Sequence, residues 1–485
     1  MSHPFSPDRR RLLAGAVALA AVGTGLGCQT THNAALEPSL QAPSAAPSAA
    51  ETAALLADLE RRSFDYFWQT TNPANGLVPD RWPTPSFASV AAVGFGLSAY
   101  PIGVARGWVT REQARDRTLA TLRFFHGAPQ GPQARGVAGH KGFFYHFLDM
   151  QSGHRFGRTE LSTVDTALFL AGALHARAFF DGGDAAETEL RRLADAIYAR
   201  VDWRWAQAQG PAISHGWHPE SGFIKWDWKG YNESMLVYLL ALGSPTFAVG
   251  ADAWDAWTST YDRSWGSDFG HQHLRFPPLF GHQFTHAWVD FRGLQDDYMR
   301  GKGLDYFENS RRATLAQQAY AIANPQGWAG YGREQWGVTA CDGPADITRE
   351  FNGKRRRFIS YAGRGMGEHD DGTIAPYGAG SSLPFAPDIV GSALTTMHQR
   401  HGAQIYGKYG FFAFNQSFTF SDVKLTHGSV LPGFGWVDND FLGIEVGPLL
   451  LMLANHRDGS VWRPLRSADW LKRGLQRAGF RGGWL

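Results

Sequence analysis

The chain has 485 residues, with 46 Lys and Arg set against 44 Asp and Glu for a formal net charge of +2. That balance leaves neither the basic footprint that nucleic acid requires nor an acidic tail, so polyanion partners are not expected. There are two cysteines, Cys28 and Cys341, and no Cys/His cluster at zinc spacing, so the fold must stand on its hydrophobic core. A Gly-x-Ser-x-Gly elbow, a phosphate loop and a dinucleotide fingerprint are all missing, which removes support for a serine hydrolase, a kinase or a dehydrogenase.

Residues 1–28 read as an export signal rather than as folded structure. Arg9-Arg10-Arg11-Leu12-Leu13 opens an apolar run over 14–26 that is too short and too rich in Gly and Ala for a membrane span. The twin arginine resembles a Tat signal. Gly25-Leu26-Gly27-Cys28 resembles a lipobox, with Gly where Leu is usual, and implies a lipid anchor at Cys28 in the membrane. Gln29 after the cysteine favours retention at the outer membrane, facing the periplasm. Residues 29–51 are rich in Ala, Pro and Ser and read as a flexible tether.

From residue 52 to the C-terminus no second linker interrupts the chain, so 52–485 is read as one large domain. Amphipathic helical periodicity marks 52–69, 110–125, 185–205, 251–261, 304–323 and 467–478. Between them 88–105, 163–178, 233–242, 287–299, 387–401 and 441–454 are apolar nearly all round, as buried helices are. About twelve helices, outer alternating with inner, predict an all-α (α/α)6 toroid. Loops that lead back outward are short, such as Arg106-Gly107-Trp108-Val109 and Gly243-Ser244-Pro245-Thr246. Those that lead inward are long, aromatic and acidic, and long loops gathered on one face carry function. Regions 324–387 and 411–434 leave room for short β-hairpins, with a strand at 411–420.

Three acidic clusters stand at predicted loop-to-helix junctions. In Trp228-Lys229-Gly230-Tyr231-Asn232-Glu233, the aromatic neighbours Tyr231 and Trp228 would desolvate the Glu233 carboxyl and raise its pKa, as a general acid requires, whereas the helix N-terminus favours the anion. In Glu160-Leu161-Ser162-Thr163-Val164-Asp165, Ser162 or Thr163 is a natural N-cap, and Glu160 and Asp165 are further catalytic candidates. The third cluster is Asp438-Asn439-Asp440 with Glu445, the last inside an apolar helix where a lone carboxylate is expensive unless it is paired or lines a cavity. The Glu368–Thr373 stretch, which holds Asp371, reads as the lining of a polar cleft rather than as a calcium loop. His282, His286 and Asp290, spaced by four, would share one helix face, but without a second His pair they do not call for zinc. No metal or cofactor is predicted. The 18 tryptophans exceed what a helical core needs. Most should pack, and those beside Gly and Asp in loops are candidates to stack on sugar rings.

Several of these runs together resemble one known group. Ser162-Thr163-Val164-Asp165-Thr166, Gly230-Tyr231-Asn232-Glu233, Tyr238-Leu239-Leu240-Ala241-Leu242-Gly243-Ser244-Pro245, His286-Ala287-Trp288-Val289-Asp290-Phe291-Arg292 and Asp371-Gly372-Thr373-Ile374-Ala375-Pro376-Tyr377 look like the glucoamylase-like domain of bacterial exported proteins. That group includes the endo-β-1,2-glucanases of glycoside hydrolase family 144 and is related to the C-terminal part of cyclic β-1,2-glucan synthases. The resemblance covers the chain from about residue 52 to its end. It implies an (α/α)6 barrel, an inverting, metal-free, endo-type hydrolysis of β-1,2-glucan, and Glu233 as the general acid, with the base left open among Asp165, Glu160, Asp438 or a relay through water. Tyr231, Trp228, His286, Trp288, Asp371, Tyr377, Trp436, Asp440 and Glu445 are the expected substrate-binding residues, on a monomer. A noncatalytic glucan-binding lipoprotein, or an exo-acting or transglycosylating relative on the same fold, is the competing reading. A polysaccharide lyase fits less well, because an acidic cleft does not suit a uronate.

Overall fold

A computed structural model describes residues 47–485. The signal at 1–28, Cys28 and most of the 29–51 tether lie outside the described residues. The first helix, Ala49–Thr70, begins inside the expected tether, because Ser48 and Glu51 form a capping box: Glu51 N–H donates to Ser48 Oγ (3.2 Å) and Ser48 N–H to Glu51 Oε2 (2.8 Å).

The outer layer consists of Ala49–Thr70, Arg111–Gly127, Ala185–Ala199, Asp252–Thr258, Tyr306–Ala323 and Pro387–Ile405. Each turns one face inward. The inner layer consists of Val90–Ala105, Thr163–Phe179, Met235–Gly243, the tight 3₁₀ turns Leu279–His282 and Thr285–Ala287, Pro376–Gly380 and Gly443–Asp458. These inner elements are buried almost throughout and pack on one another around the ring. Small residues set their spacing. A Cβ at Gly172 would lie 1.9 Å from Gly94 O, and one at Gly94 would lie 2.2 Å from Leu168 O, so Val90–Ala105 and Thr163–Phe179 cross backbone to backbone. This is the (α/α)6 toroid that the alternation predicted.

Four of the expected assignments change. Residues 287–299 are not a helix: Gly293 turns the chain with φ +74°, Asp290 is drawn into ion pairs with Arg292 and Arg466, and only the short helix Asp297–Lys302 follows. Residues 387–401 belong to the outer layer, with Asp388, Gln399 and Arg400 exposed, and the short helix Pro376–Gly380 takes the inner position. The 185–205 helix stops at Ala199, and the expected 411–420 strand is reduced to Gly410–Phe411 and Phe414–Asn415.

Short antiparallel pairings stitch together the entrances of the inner helices. Arg81–Trp82 pairs with Phe441–Leu442, and Ala88–Ser89 with Phe147–Leu148. Leu161–Ser162 lies between Phe143–Tyr145 and Gly216–His218 in a five-stranded sheet. Ser89 and Ser162 then cap the helices that follow, their hydroxyls accepting from Ala92 N–H (3.3 Å) and Asp165 N–H (3.2 Å). The N-terminal ends of Val90–Ala105, Thr163–Phe179 and Gly443–Asp458 therefore share one face. The longest loop carries the expected hairpin, Ile347–Phe351 with Lys354–Phe358.

Candidate active site

The pairing of Arg81–Trp82 with Phe441–Leu442 brings together carboxylates that are far apart in sequence. Arg81 is buried, and its Nη1 lies 2.5 Å from Asp342 Oδ2, 3.0 Å from His427 Nδ1 and 3.5 Å from Asp440 Oδ2. Its Nε lies 3.5 Å from Asp80 Oδ2. Asp440 is also held by Thr84 N–H (2.9 Å), and Asp438 by Asn439 N–H (2.8 Å). Burial alone would pull the Arg81 guanidinium down, but Asp342, Asp440 and Asp438 hold it above its ordinary value and so charged. One cation cannot neutralise so many acids. Burial first, and the Asp342 carboxylate second, push Asp80 up to about 8 and raise Asp438 and Glu445 well above the usual carboxylate range. Such groups hold protons at neutral pH, which is the state a general acid needs.

A second acidic group adjoins the first. His146 Nδ1 lies 3.0 Å from Glu160 Oε1, and its Nε2 lies 3.5 Å from Asp165 Oδ1. The charges of His146 and Asp165 are both felt at Asp80, so the two groups form one electrostatic unit. Glu233 precedes Met235–Gly243 by two residues, in a turn where Asn232 Oδ1 accepts from Ser234 N–H (2.9 Å). It is 8% exposed, and its backbone carbonyl accepts from Thr285 Oγ1 at 3.4 Å. Trp228 ties this turn to the Glu160–Asp165 segment by donating its indole N–H to Thr163 Oγ1 (2.9 Å), and it stacks on His215 at 3.7 Å.

The residues expected to bind substrate divide into two sets. Asp440 and Glu445 lie in the acidic cluster. Several others are committed to the walls: Tyr231 meets Ser310 Oγ at 3.3 Å and stacks on Tyr306; His286 Nε2 lies 3.1 Å from the same Ser310 Oγ; and Trp288 donates to Ser98 Oγ (2.9 Å) between inner helices. Trp436 donates to His427 O (2.7 Å), Tyr377 donates to Ala340 O, and Asp371 receives both arms of the buried Arg364 guanidinium at 2.8 and 2.9 Å. Each ring or carboxylate is buried because its polar atom already has an internal partner, so these side chains support the site from behind. His282, His286 and Asp290 do not share a face: His282 Nε2 lies 3.2 Å from Phe276 O, and Asp290 is taken by arginines. Exposed aromatics include Trp226, at 59%, and Phe156, at 39%, the latter tilted against Phe87, which in turn packs on Phe147 beside His146.

Asp80, Arg81, Asp342, His427 and His146 enter the site without having been assigned a role from the sequence. Pro79-Asp80-Arg81-Trp82 stands out as a polar, aromatic run before an inner helix, which is the signal that marks it. Asp342 and His427 lie in long irregular loops with no periodicity to set them apart. Asp342, His427 and Asp440 bring ligand atoms within 4.8 Å of one another, a spacing that fits a metal ion, but the Arg81 guanidinium already occupies the position such a cation would take. Two surface cavities, of about 240 Å³ beside Arg355 and His369 and about 200 Å³ beside Trp254 and Tyr298, are lined by none of these residues.

A ring of paired helices with protonated and ionised carboxyls crowded at the entrances of its inner helices defines a glucoamylase-like toroid. Residues 225–469, just over half of the chain, match the family model described as "Putative glucoamylase", and the chain belongs to that family. It is 26% identical over 471 residues to the exo β-1,2-glucooligosaccharide sophorohydrolase (non-reducing end) of Parabacteroides distasonis, an alignment that takes in 90% of this chain but spans only 59% of that relative's length. Among solved structures it superimposes on the endo-β-1,2-glucanase of Chitinophaga pinensis, in complex with sophorotriose and glucose, with a TM-score of 0.75 and 25% identity, covering 90% of this chain and 99% of that one. The β-1,2-glucanase of Parabacteroides distasonis gives a TM-score of 0.75 and 25% identity, covering 88% of this chain and 60% of that one.

Proposed function

We propose that this protein is a glycoside hydrolase that cleaves β-1,2-linked glucan within the chain and inverts the anomeric centre. The observation that carries the reading is the set of buried carboxyls at one end of the toroid, some held protonated by burial and others ionised against Arg81. A binding lipoprotein has no need to hold so many acids in different protonation states. Similarity to β-1,2-glucan-active relatives supports the linkage. Likeness to the endo-acting enzyme along nearly its whole length is what supports internal cleavage.

In this scheme Glu233 donates the proton to the leaving oxygen. A water on the far side of the sugar is deprotonated by a carboxylate of another hairpin, with Asp165 and Glu160 the candidates, directly or through a relay; Asp438, which burial holds protonated, does not serve as that base. Inverting pairs stand about 6.5–9.5 Å apart so that this water fits, whereas retaining pairs stand nearer 5 Å. Trp226 and Phe156 give the glucan chain aromatic surfaces at the rim, and Asp440 and Glu445 give it polar ones deeper in. The export signal and Cys28 would hold the enzyme at the outer membrane, facing periplasmic glucan.

The test is to incubate the purified protein with linear β-1,2-glucan, separate the products by thin-layer chromatography and follow the first products by proton NMR. A ladder of short oligosaccharides released as the α-anomer is expected. A single disaccharide product would replace endo with exo action, and initial β-anomer would overturn inversion.

A further inference from the structure

His146 has no part in the scheme above, yet it is held more firmly than a bystander would be. Its N–H donates to Glu160 O (2.9 Å) and its carbonyl accepts from Val90 N–H (3.2 Å), so the backbone is fixed on both sides. Its ring lies on the Phe147 ring, with centroids 3.8 Å apart and planes 25° apart. The two ring nitrogens then face two different carboxylates, Nδ1 toward Glu160 Oε1 at 3.0 Å and Nε2 toward Asp165 Oδ1 at 3.5 Å. Ser162 Oγ donates to the other oxygen of Asp165 and accepts from Asp165 N–H (3.2 Å), which leaves Oδ1 turned to the ring. Asp80 on the strand side, which feels the charge of His146, and His218, which feels that of Glu160, are also electrostatic neighbours of the trio.

A neutral imidazole donates from one nitrogen and accepts at the other, whereas an imidazolium donates from both. With two protons in the trio, the ring is either an imidazolium between two carboxylates or a neutral ring between one carboxylate and one carboxylic acid. Both arrangements carry the same net charge and differ only in where the protons sit.

We infer that His146 is a positioning and proton-relay residue that passes a proton between Glu160 and Asp165. In the step, the O–H bond at Glu160 Oε1 breaks as N–H forms at Nδ1, while N–H at Nε2 breaks as O–H forms at Asp165 Oδ1. One proton crosses the ring and no net charge is created. The role rests on the hydrolase reading: it re-arms whichever of the two carboxyls faces substrate after each turnover.

The first experiment does not depend on activity. In protein labelled with ¹⁵N-histidine, the two His146 nitrogens of the wild type should report exchange between tautomers. Glu160→Gln and Asp165→Asn should each lock the ring in the tautomer that donates to the remaining carboxylate. A single tautomer that neither variant alters would overturn the relay. The second experiment is kinetic: His146→Ala and His146→Asn, checked for wild-type thermal unfolding, should lower kcat on β-1,2-glucan by about 10²-fold with KM within about twofold, and free imidazole should restore part of the His146→Ala activity. Wild-type kcat and pH profile in both variants would overturn the inference. Failure of the wild type to cleave β-1,2-glucan would sink the hydrolase reading, and the NMR result would still decide the relay.

Discussion

Replacing Asp80 with Asn tests the electrostatics of the site through stability. In the folded protein burial, reinforced by Asp342, pushes the Asp80 carboxyl up to about 8, whereas in the unfolded chain it titrates near 3.9. The stability associated with this group is therefore whole below about pH 4 and is lost as pH rises to about 8, because the unfolded chain releases its proton first. Each pH unit in that window costs about 1.4 kcal/mol, so the full loss is on the order of 5 kcal/mol. Asn keeps the shape and cannot ionise. Urea denaturation at pH 5, 7 and 9 should show wild type losing stability across the series and Asp80→Asn losing distinctly less, with the variant the more stable protein at pH 9. Asp438 and Glu445 are raised in the same direction and leave the variant a residual slope. If the two proteins fall in parallel from pH 5 to pH 9, Asp80 is not a protonated acid in the fold and the charge assignment of the cluster is wrong.

Glu233→Gln should abolish hydrolysis while glucan binding by calorimetry stays near wild type, with a loss of about 10²–10⁴-fold; more than about a tenth of wild-type activity would move the acid role to Asp165 or Glu160. Gly172→Ala should cost about 3 kcal/mol or prevent folding, since the new Cβ would meet the Gly94 backbone at 1.9 Å, and an unchanged unfolding midpoint would refute the close crossing. Cys28→Ser should move the protein from the membrane to the soluble fraction on cell fractionation, and unchanged partition would exclude the lipid anchor.

The toroid was legible because inner and outer helices solve different problems. Segments such as 163–178 are apolar on every side and cannot be surface helices, whereas 110–125 carries one buried stripe. The pattern misled where burial and helicity part company: 287–299 is apolar, yet Asp290 and Gly293 stop it from coiling. Pro387–Ile405 has Ala, Gly and Thr on its buried face, which mimics an inner helix, while its charged residues fall to the outside. In the site, acids at helix entrances could be read from the sequence, because two acidic groups before a buried helix are more than its N-terminal cap requires. Asp342 and His427, the partners of Arg81, could not, since their meaning comes from contacts across hundreds of residues. Trp228 and Tyr231 were read as sugar platforms because of their neighbours, but a buried indole or phenol with an internal hydrogen-bond partner is spoken for.

The pairing of Arg81–Trp82 with Phe441–Leu442 joins the first hairpin of the ring to the last, and the same contact delivers Arg81 to Asp440. Loop-closure entropy must be met before so distant a pairing contributes anything, which places it late in folding. The protein thus assembles its reactive centre at the moment the circle closes. A nascent or partly unfolded chain carries the acids of the site scattered and solvated, with ordinary titration and no catalytic competence. On the hydrolase reading, activity belongs to the finished ring, and its recovery during refolding should trail the recovery of helix.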